Sequence, residues 1–371
     1  MEQAANKTAR ETPLAALHRG EGATLAEWFG CALPDHWSAP EKEQEFARKS
    51  VALVDKNYRA YFRFRGPDRV RYLNAILTNN IKDLAAGRGN VSLLLNPQGH
   101  ILAEIETYAE EESLFCVSYA MIREQLGEWL EKYIIMDDVT LADESEEHGT
   151  LAIEGPKAEE VAREVAGLEL SGLEELQRME TAVAAIPCWA TKRSPGGIAG
   201  CEFVGARGRL AELWAVLLEA VKRRGGGPTG YAALSAQRLS QGVAWFGYDF
   251  GEKQIPHEAG LQDTHISYTK GCYTGQEIVE RVRSRGQVNR QRVGLIFEGA
   301  GVPGAGETLS AEGKEAGTVT RAARSSFFSR AIGMGYVRRE YAKSGSKLSW
   351  SGGAAVVAKF PEALEAGASP R

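Results

Sequence analysis

The period of the apolar positions changes several times along the chain, and each change predicts an element. "AYFRFRGPDRVRYLNAIL" reads as a strand that stops at Gly66, with Pro67 suited to the first position of a helix. "VSLLLNPQGHILAEIETYA" reads as a hairpin. Its turn, Asn96-Pro97-Gln98-Gly99, has proline second and glycine fourth, as a type I turn prefers. "SLFCVSY" predicts a third strand and "DVTLAD" a fourth. Between them Ile122, Leu126, Trp129, Leu130 and Tyr133 fall on one face of a helix. Strands grouped in this order predict an antiparallel α+β layer rather than a doubly wound parallel sheet.

The pattern then repeats. "FRFRGPDRVRYL" and "LAIEGPKAEEVA" both read strand, Gly-Pro, helix. The repeat suggests two related subdomains, at approximately 45–150 and 151–260. Leu210, Leu213, Trp214, Leu217, Leu218 and Val221 predict an amphipathic helix, and "RRGGGPTG" breaks the chain after it. Beyond Gln291 the runs "RVGLIF", "AGTVTRA", "AIGMGYVRREYA" and "AAVVAKF" are short, strand-like and separated by glycines. They predict a small β-barrel or sandwich over 289–365, following a larger region over 12–288. Residues 1–11 and 365–371 are expected to fray.

At 371 residues the chain needs two or three domains. Apolar residues make up 43% and charged residues 25%, which excludes a disordered chain. A net charge of -5 gives no general attraction to nucleic acid or membrane. The start of the chain is polar, without a signal-like core, and no apolar run is long enough to span a bilayer. The five cysteines are scattered, with no CxxC pair and no zinc spacing. A cytoplasmic protein with reduced thiols, no membrane contact and no stable metal is expected.

One stretch departs from this background. In "TKGCYTGQEIVERVRSRGQ", Cys272 lies between glycines before a helix expected to begin near Gly275. A helix N-terminus, with Lys270 nearby, favours thiolate. Gly271 and Gly275 would allow tight backbone geometry, and Glu277 would complement the dipole. Between Lys270 and Arg292 there are six basic residues against two acidic ones, a local patch that invites an anion such as a carboxylate tail, a phosphate or RNA. The alternative is a small buried cysteine beside a solvated arginine face. His257 and His265 are close in sequence, but spacing ties neither to Cys272. Asn79 and Asn80 read as helix-capping residues, and Glu104, Glu202 and Arg238 could each be ordinary strand or helix residues.

"KGCYTGQE", with Arg281 following, resembles the signature of the YgfZ folate-binding family, whose members act in iron–sulfur cluster assembly or repair. "GYDFGEKQIPHEAGL" is similar to the same family. "TPLAALH", "RGPDRVRYLNAILTNNI", "LLLNPQGHIL" and the terminal barrel resemble, more broadly, the glycine cleavage T-protein, an aminomethyltransferase. This resemblance implies a cloverleaf: two antiparallel α+β subdomains and a C-terminal barrel around a tetrahydrofolate channel.

It also implies a set of site residues. Cys272 would be the reactive group. Asn96, Glu104, Glu202, Arg238, Lys270, Gly271, Tyr273, Gly275, Gln276, Glu277 and Arg281 would bind a folate or shape the thiol turn. The T-protein's catalytic Asp falls at Ala103, with Glu104 in place of the acid after it. Its "GED" before the folate-binding Glu becomes "GIA" before Glu202. One of its arginines falls at Leu234 and a later one at Arg238, while a nearby Glu becomes Ser240. A folate-binding accessory protein for iron–sulfur clients is the function so implied, acting as a monomer. Aminomethyl transfer is the alternative, and tRNA contact through Arg281–Arg292 a weaker one.

Overall fold

A computed structural model describes residues 9–299 and 301–360. The expected frayed tails lie outside these residues except at the start, where Arg10–Glu11 pairs in parallel with Cys31–Ala32. With Thr24–Trp28 and Cys31–His36 it forms a three-stranded sheet.

The first α+β unit is a five-stranded antiparallel sheet. Its order is Gly89–Leu95, Ile101–Ala109, Leu114–Tyr119, Arg59–Arg65, Thr140–Asp143. The hairpin turns where the sequence predicts, and the Gly99 N–H donates to the Asn96 carbonyl at 2.9 Å. Helices Arg69–Ile76 and Arg123–Glu131 supply Leu73, Leu126 and Leu130 to a core with Phe62, Phe64 and Ile105. Two expectations shift here. The first helix starts at Arg69, so Pro67 lies in the preceding turn. Tyr133 falls beyond the end of the second helix and is exposed.

The second unit has six strands, in the order Arg178–Val183, Ile186–Lys192, Gly200–Ala206, His148–Glu154, Ala52–Asp55, Gly227–Pro228. Ala52–Asp55 precedes the first unit in the chain and pairs with His148–Glu154, so the second unit's sheet includes a strand from ahead of the first. Helices Ala158–Ala166 and Leu210–Arg223 bury Val161, Trp214 and Leu217 against Phe203.

The Gly-Pro repeat has a physical basis. Gly66 and Gly155 have φ of 100° and 139°. A side chain at Gly66 would meet the Asp138 carbonyl at 2.2 Å, and one at Gly155 the Ser50 carbonyl at 2.5 Å. Each unit therefore leaves a strand for a helix through a turn that excludes a Cβ.

The last unit is a closed six-stranded barrel that begins at Arg290–Phe297 and ends at Gly353–Ala358. Leu295, Phe297, Val319 and Val357 fill it. The architecture is the expected cloverleaf of two α+β units and a small barrel, antiparallel in both sheets except where the short edge strand Gly227–Pro228 runs parallel to Ala52–Asp55.

Candidate functional site

A cavity of about 620 Å³ opens where these parts converge. Its wall takes Glu104 and Glu106 from the first unit, Arg193 from the second, Arg238 from helix Tyr231–Ser240 and Arg292 from the barrel. The volume suits a drug-sized ligand.

Strand alternation decides which acids face it. Along Ile101–Ala109, Glu104 and Glu106 are two residues apart and share one side. Ala103 lies on the other side, fully buried with Phe62, Ile105 and Leu126. A carboxylate at position 103 would enter that apolar core. Ala103, where the resemblance puts the family's catalytic Asp, thus faces the core, and the cavity-facing position is 104, which carries a carboxylate.

Glu104 is held on both oxygens. The Tyr119 hydroxyl donates to Oε2 at 2.6 Å, and His265 Nε2 lies 3.0 Å from Oε1. His265 Nδ1 is 2.7 Å from the Thr264 hydroxyl.

Beside this group runs a buried charge network. Arg59 reaches Glu106 at 3.1 Å and Glu202 at 2.8 Å. Lys56 reaches Glu202 at 3.0 Å and Glu154 at 2.6 Å, and Arg193 reaches Glu106 at 2.8 Å. Burial alone would raise the Glu106 carboxyl, but Arg193 and Arg59 overcome it and hold the group at about 2. Burial opposes ionisation of Glu202 as well, yet Arg59 and Lys56 keep it below its ordinary value. Glu202 is 3% exposed and stands behind Lys56 and Arg59.

The wall also carries unanswered polar atoms. Arg238 binds Asp249 through one nitrogen, while its Nε and Nη2 are buried without partners. Gln237 Oε1 and Arg59 Nε are in the same condition. Aromatic faces of Tyr58, Tyr119, Tyr231 and Trp245 complete the wall. Donors, an acceptor and flat apolar faces together match a heteroaromatic ligand with an acidic tail.

The "KGCYTGQE" segment is elsewhere, and none of its residues lines the cavity. Cys272 is exposed, whereas the other four cysteines are buried. Lys270 does not serve the thiol: its ammonium donates to the carbonyls of Asn74 and Leu77 at the end of helix Arg69–Ile76. Burial lowers its pKa to about 8. Tyr273 is buried with Leu93, Leu95 and Phe246. Gly275, at φ 81°, precedes helix Gln276–Arg285 and packs on the hairpin turn, where an added Cβ would lie 2.7 Å from the Asn96 carbonyl. Asn96 is thus a turn residue under that helix. Gly271 faces open space and has no need to be glycine. The Gln276 N–H donates to the Tyr273 carbonyl at 3.2 Å. Glu277 and Arg281 pair with each other at 2.7 Å on the exposed face.

The arginine run is likewise dispersed. Arg283 lies over Tyr268 and near Glu280, Arg290 binds Glu258, and Arg292 turns inward to the Ala259 and Gly242 carbonyls. Among the described residues Lys270, Arg281, Arg283, Arg290 and Arg292 are thus answered by protein groups, and tRNA contact through this run is left without support. Among the described residues no helix is long and apolar enough to cross a membrane.

Comparison with known proteins agrees with this architecture. The model of the GCVT N-terminal domain matches residues 14–268, and that of the glycine cleavage T-protein C-terminal barrel domain matches 290–358. The chain belongs to the glycine cleavage T-protein family. An aminomethyltransferase of Rubrobacter xylanophilus is 30% identical over 336 residues, which span 91% of this chain and 89% of that protein. The aminomethyltransferase of Halothermothrix orenii is 26% identical over 342 residues, 92% of this chain and 95% of its own. The crystal structure of glycine cleavage system aminomethyltransferase T from Bartonella henselae superposes with a TM-score of 0.86 at 24% identity, covering 95% of this chain and 98% of that one, which shows a shared fold. Within the T-protein fold, Glu104, Arg238 and the Glu202 network gather at the centre, while the thiol segment stays outside. Sequence reasoning passed over Glu106, Arg59, Lys56, Arg193 and Tyr119. Glu106 had a signal, since it shares a strand face with Glu104. Arg193 lies between two strands and had none.

Proposed function

We propose that this protein binds a reduced folate in the central cavity and transfers an aminomethyl-derived one-carbon unit to it, with Glu104 as the acting carboxylate. The observation that carries this reading is the orientation of Glu104: it faces the cavity, fixed by Tyr119 and His265. Membership of the T-protein family and the aminomethyltransferase relatives support it. The orphaned N–H groups of Arg238, the Gln237 oxygen and the aromatic walls suit a pterin ring and a carboxylate-bearing tail.

A reduced folate supplies the nitrogen that accepts the one-carbon unit. The chain's own part is electrostatic. Glu104 is placed to stabilise the positive charge that grows as a folate nitrogen bonds the one-carbon unit and to take that nitrogen's proton, while the substrate amine departs as ammonia and the carrier sulfur as a thiol. Tyr119 holds the carboxylate still, so little reorganisation is needed. Arg59, Lys56 and Arg193 bind their own carboxylates and keep the floor of the site rigid.

The test is folate-dependent release of ammonia from an aminomethylated lipoyl carrier, beside an active T-protein. Release by wild type and its loss in Glu104→Gln is expected. No release by wild type, with the control active, removes the reading.

A second reading rests on Cys272, the exposed cysteine of the "KGCYTGQE" motif. In that reading the protein is a folate-binding accessory factor for iron–sulfur clients. Activity of a [4Fe–4S] enzyme in cells lacking the gene, restored by wild type and not by Cys272→Ser, would favour it. Full rescue by Cys272→Ser would dismiss the role of the thiol.

A further inference from the structure

The carboxylates that line the cavity are not equivalent. Glu106 is paired with Arg59 and Arg193, Glu154 with Lys56, and Glu175 with Arg193. Glu104 has no arginine or lysine partner among the described residues. Its ion-pairing group is His265, at 3.0 Å, from a segment 161 residues away in sequence. Both side chains are largely buried, at 18% and 12% exposure.

The surroundings of His265 fix it in place. Its own carbonyl accepts from the Thr78 hydroxyl at 2.6 Å, and Asn79 donates to the Thr264 carbonyl at 3.4 Å. The Thr264 hydroxyl lies 2.7 Å from Nδ1 and 3.4 Å from the Leu261 carbonyl. These two acceptors allow two proton arrangements with the same heavy-atom positions. In one, Thr264 donates to a bare Nδ1 and the neutral ring donates through Nε2 to Glu104. In the other, Thr264 turns to Leu261, Nδ1–H donates to its oxygen, and the ring is an imidazolium paired with Glu104. Rotation of one hydroxyl separates them.

We infer that His265 is a positioning residue for Glu104: its Nε2 proton holds Oε1 while the Tyr119 hydroxyl holds Oε2, so that the carboxylate meets a ligand in one orientation. This rests on the proposed reading of the cavity as a reduced-folate site. The other ionisable groups facing the pair are few. Tyr119 donates to Glu104, and Tyr58 stacks on Tyr119 at 5.7 Å. Arg59 and Glu106 are engaged with each other nearby, and Asp263 is on the same short helix as His265. None of the acids among them contacts the imidazole, so Glu104 is the carboxylate that answers its Nε2.

Two measurements test this. In the first, nitrogen-edited NMR observes the His265 imidazole, assigned with His265→Gln, in wild type and Glu104→Ala. The Nε2 proton should exchange with solvent about tenfold more slowly in wild type, where the carboxylate accepts it. Equal exchange overturns the inference. In the second, binding of 5-formyltetrahydrofolate, by fluorescence quenching, and folate-dependent ammonia release are measured for wild type, His265→Gln and His265→Ala. Release should fall about tenfold in His265→Ala while folate affinity changes by less than about twofold, and His265→Gln, which keeps an N–H donor, should recover part of it. Unchanged release in His265→Ala overturns the inference. Absence of folate binding by wild type overturns the folate reading instead, and the NMR exchange then judges the Glu104–His265 pair alone.

Discussion

Arg59 binds Glu106 through one terminal nitrogen and Glu202 through the other, at 3.1 and 2.8 Å. Glu106 belongs to the sheet of the first unit and Glu202 to that of the second. One guanidinium therefore joins the two units beneath the cavity.

Replacing Arg59 by Met should weaken the fold at neutral pH. It leaves two buried carboxylates with one cation fewer each, although Arg193 and Lys56 remain. Breaking a buried pair costs about 3–5 kcal/mol, and the remaining partners place the expected loss near the lower end, about 3 kcal/mol. Urea denaturation at pH 7 measures it. A loss below about 1 kcal/mol would mean that the pairs are as weak as exposed ones.

The same network predicts an acid response. Glu106 is held at about 2 in the folded chain against an ordinary value of 4.5. Its folded value is the lower one, so its contribution is complete above about 4.5 and is lost as pH falls toward about 2. Wild type should therefore lose stability over that interval, and Arg59→Met should lose less there because its carboxylates are already poorly held. Denaturation midpoints at several acid pH values would show converging curves. Parallel curves would count against the network as their source.

Gly275 should not tolerate alanine. Its φ of 81° strains an L side chain, and the new methyl would lie 2.7 Å from the Asn96 carbonyl. A residue forced into such a conformation costs about 1–3 kcal/mol. Gly271→Ala, where nothing lies within 4 Å, serves as the matched control and should stay within about 0.5 kcal/mol of wild type. Thermal unfolding of the two variants separates the roles of the two glycines.

Cys272 should be the single thiol that reacts with a maleimide in the native protein. The other four are buried, and burial raises Cys31 and Cys188 to about 11 and Cys116 to about 12. Intact-mass analysis should show one adduct before denaturation and five after it. A second native adduct would mean that a buried strand opens readily.

Much of this was legible because it follows from periodicity. The alternating run at Ile101–Ala109, the Asn-Pro-Gln-Gly turn and the repeated Gly-Pro exits need no knowledge of distant parts of the chain. The site was less legible because its pairings are long-range. His265 meets Glu104 across 161 residues, and Arg59 meets Glu202 across 143. Lys270 shows the converse error. Proximity in sequence suggested a partner for Cys272, but the flexible stem carries its charge to two carbonyls at a helix end. The alternation that separates Ala103 from Glu104 was present in the sequence, yet only the packed sheet shows which of its faces borders the cavity.

That separation gives a decisive substitution. If a catalytic acid had simply been lost at position 103, Ala103→Asp would restore it. The packing predicts the opposite. Ala103 is fully buried among Phe62, Ile105 and Leu126, with no cation in that cluster. A carboxylate there would either ionise without a partner or remain protonated with its hydrogen bonds unmet, at a cost of about 3 kcal/mol or more. Ala103→Asp should therefore lower the denaturation midpoint strongly and add no ammonia release. Glu104→Asp keeps the charge on the cavity side and should leave stability within about 1 kcal/mol while reducing turnover, since the shortened side chain no longer reaches Tyr119 and His265 together. A stable, more active Ala103→Asp protein would show that position 103, rather than 104, faces the reacting group.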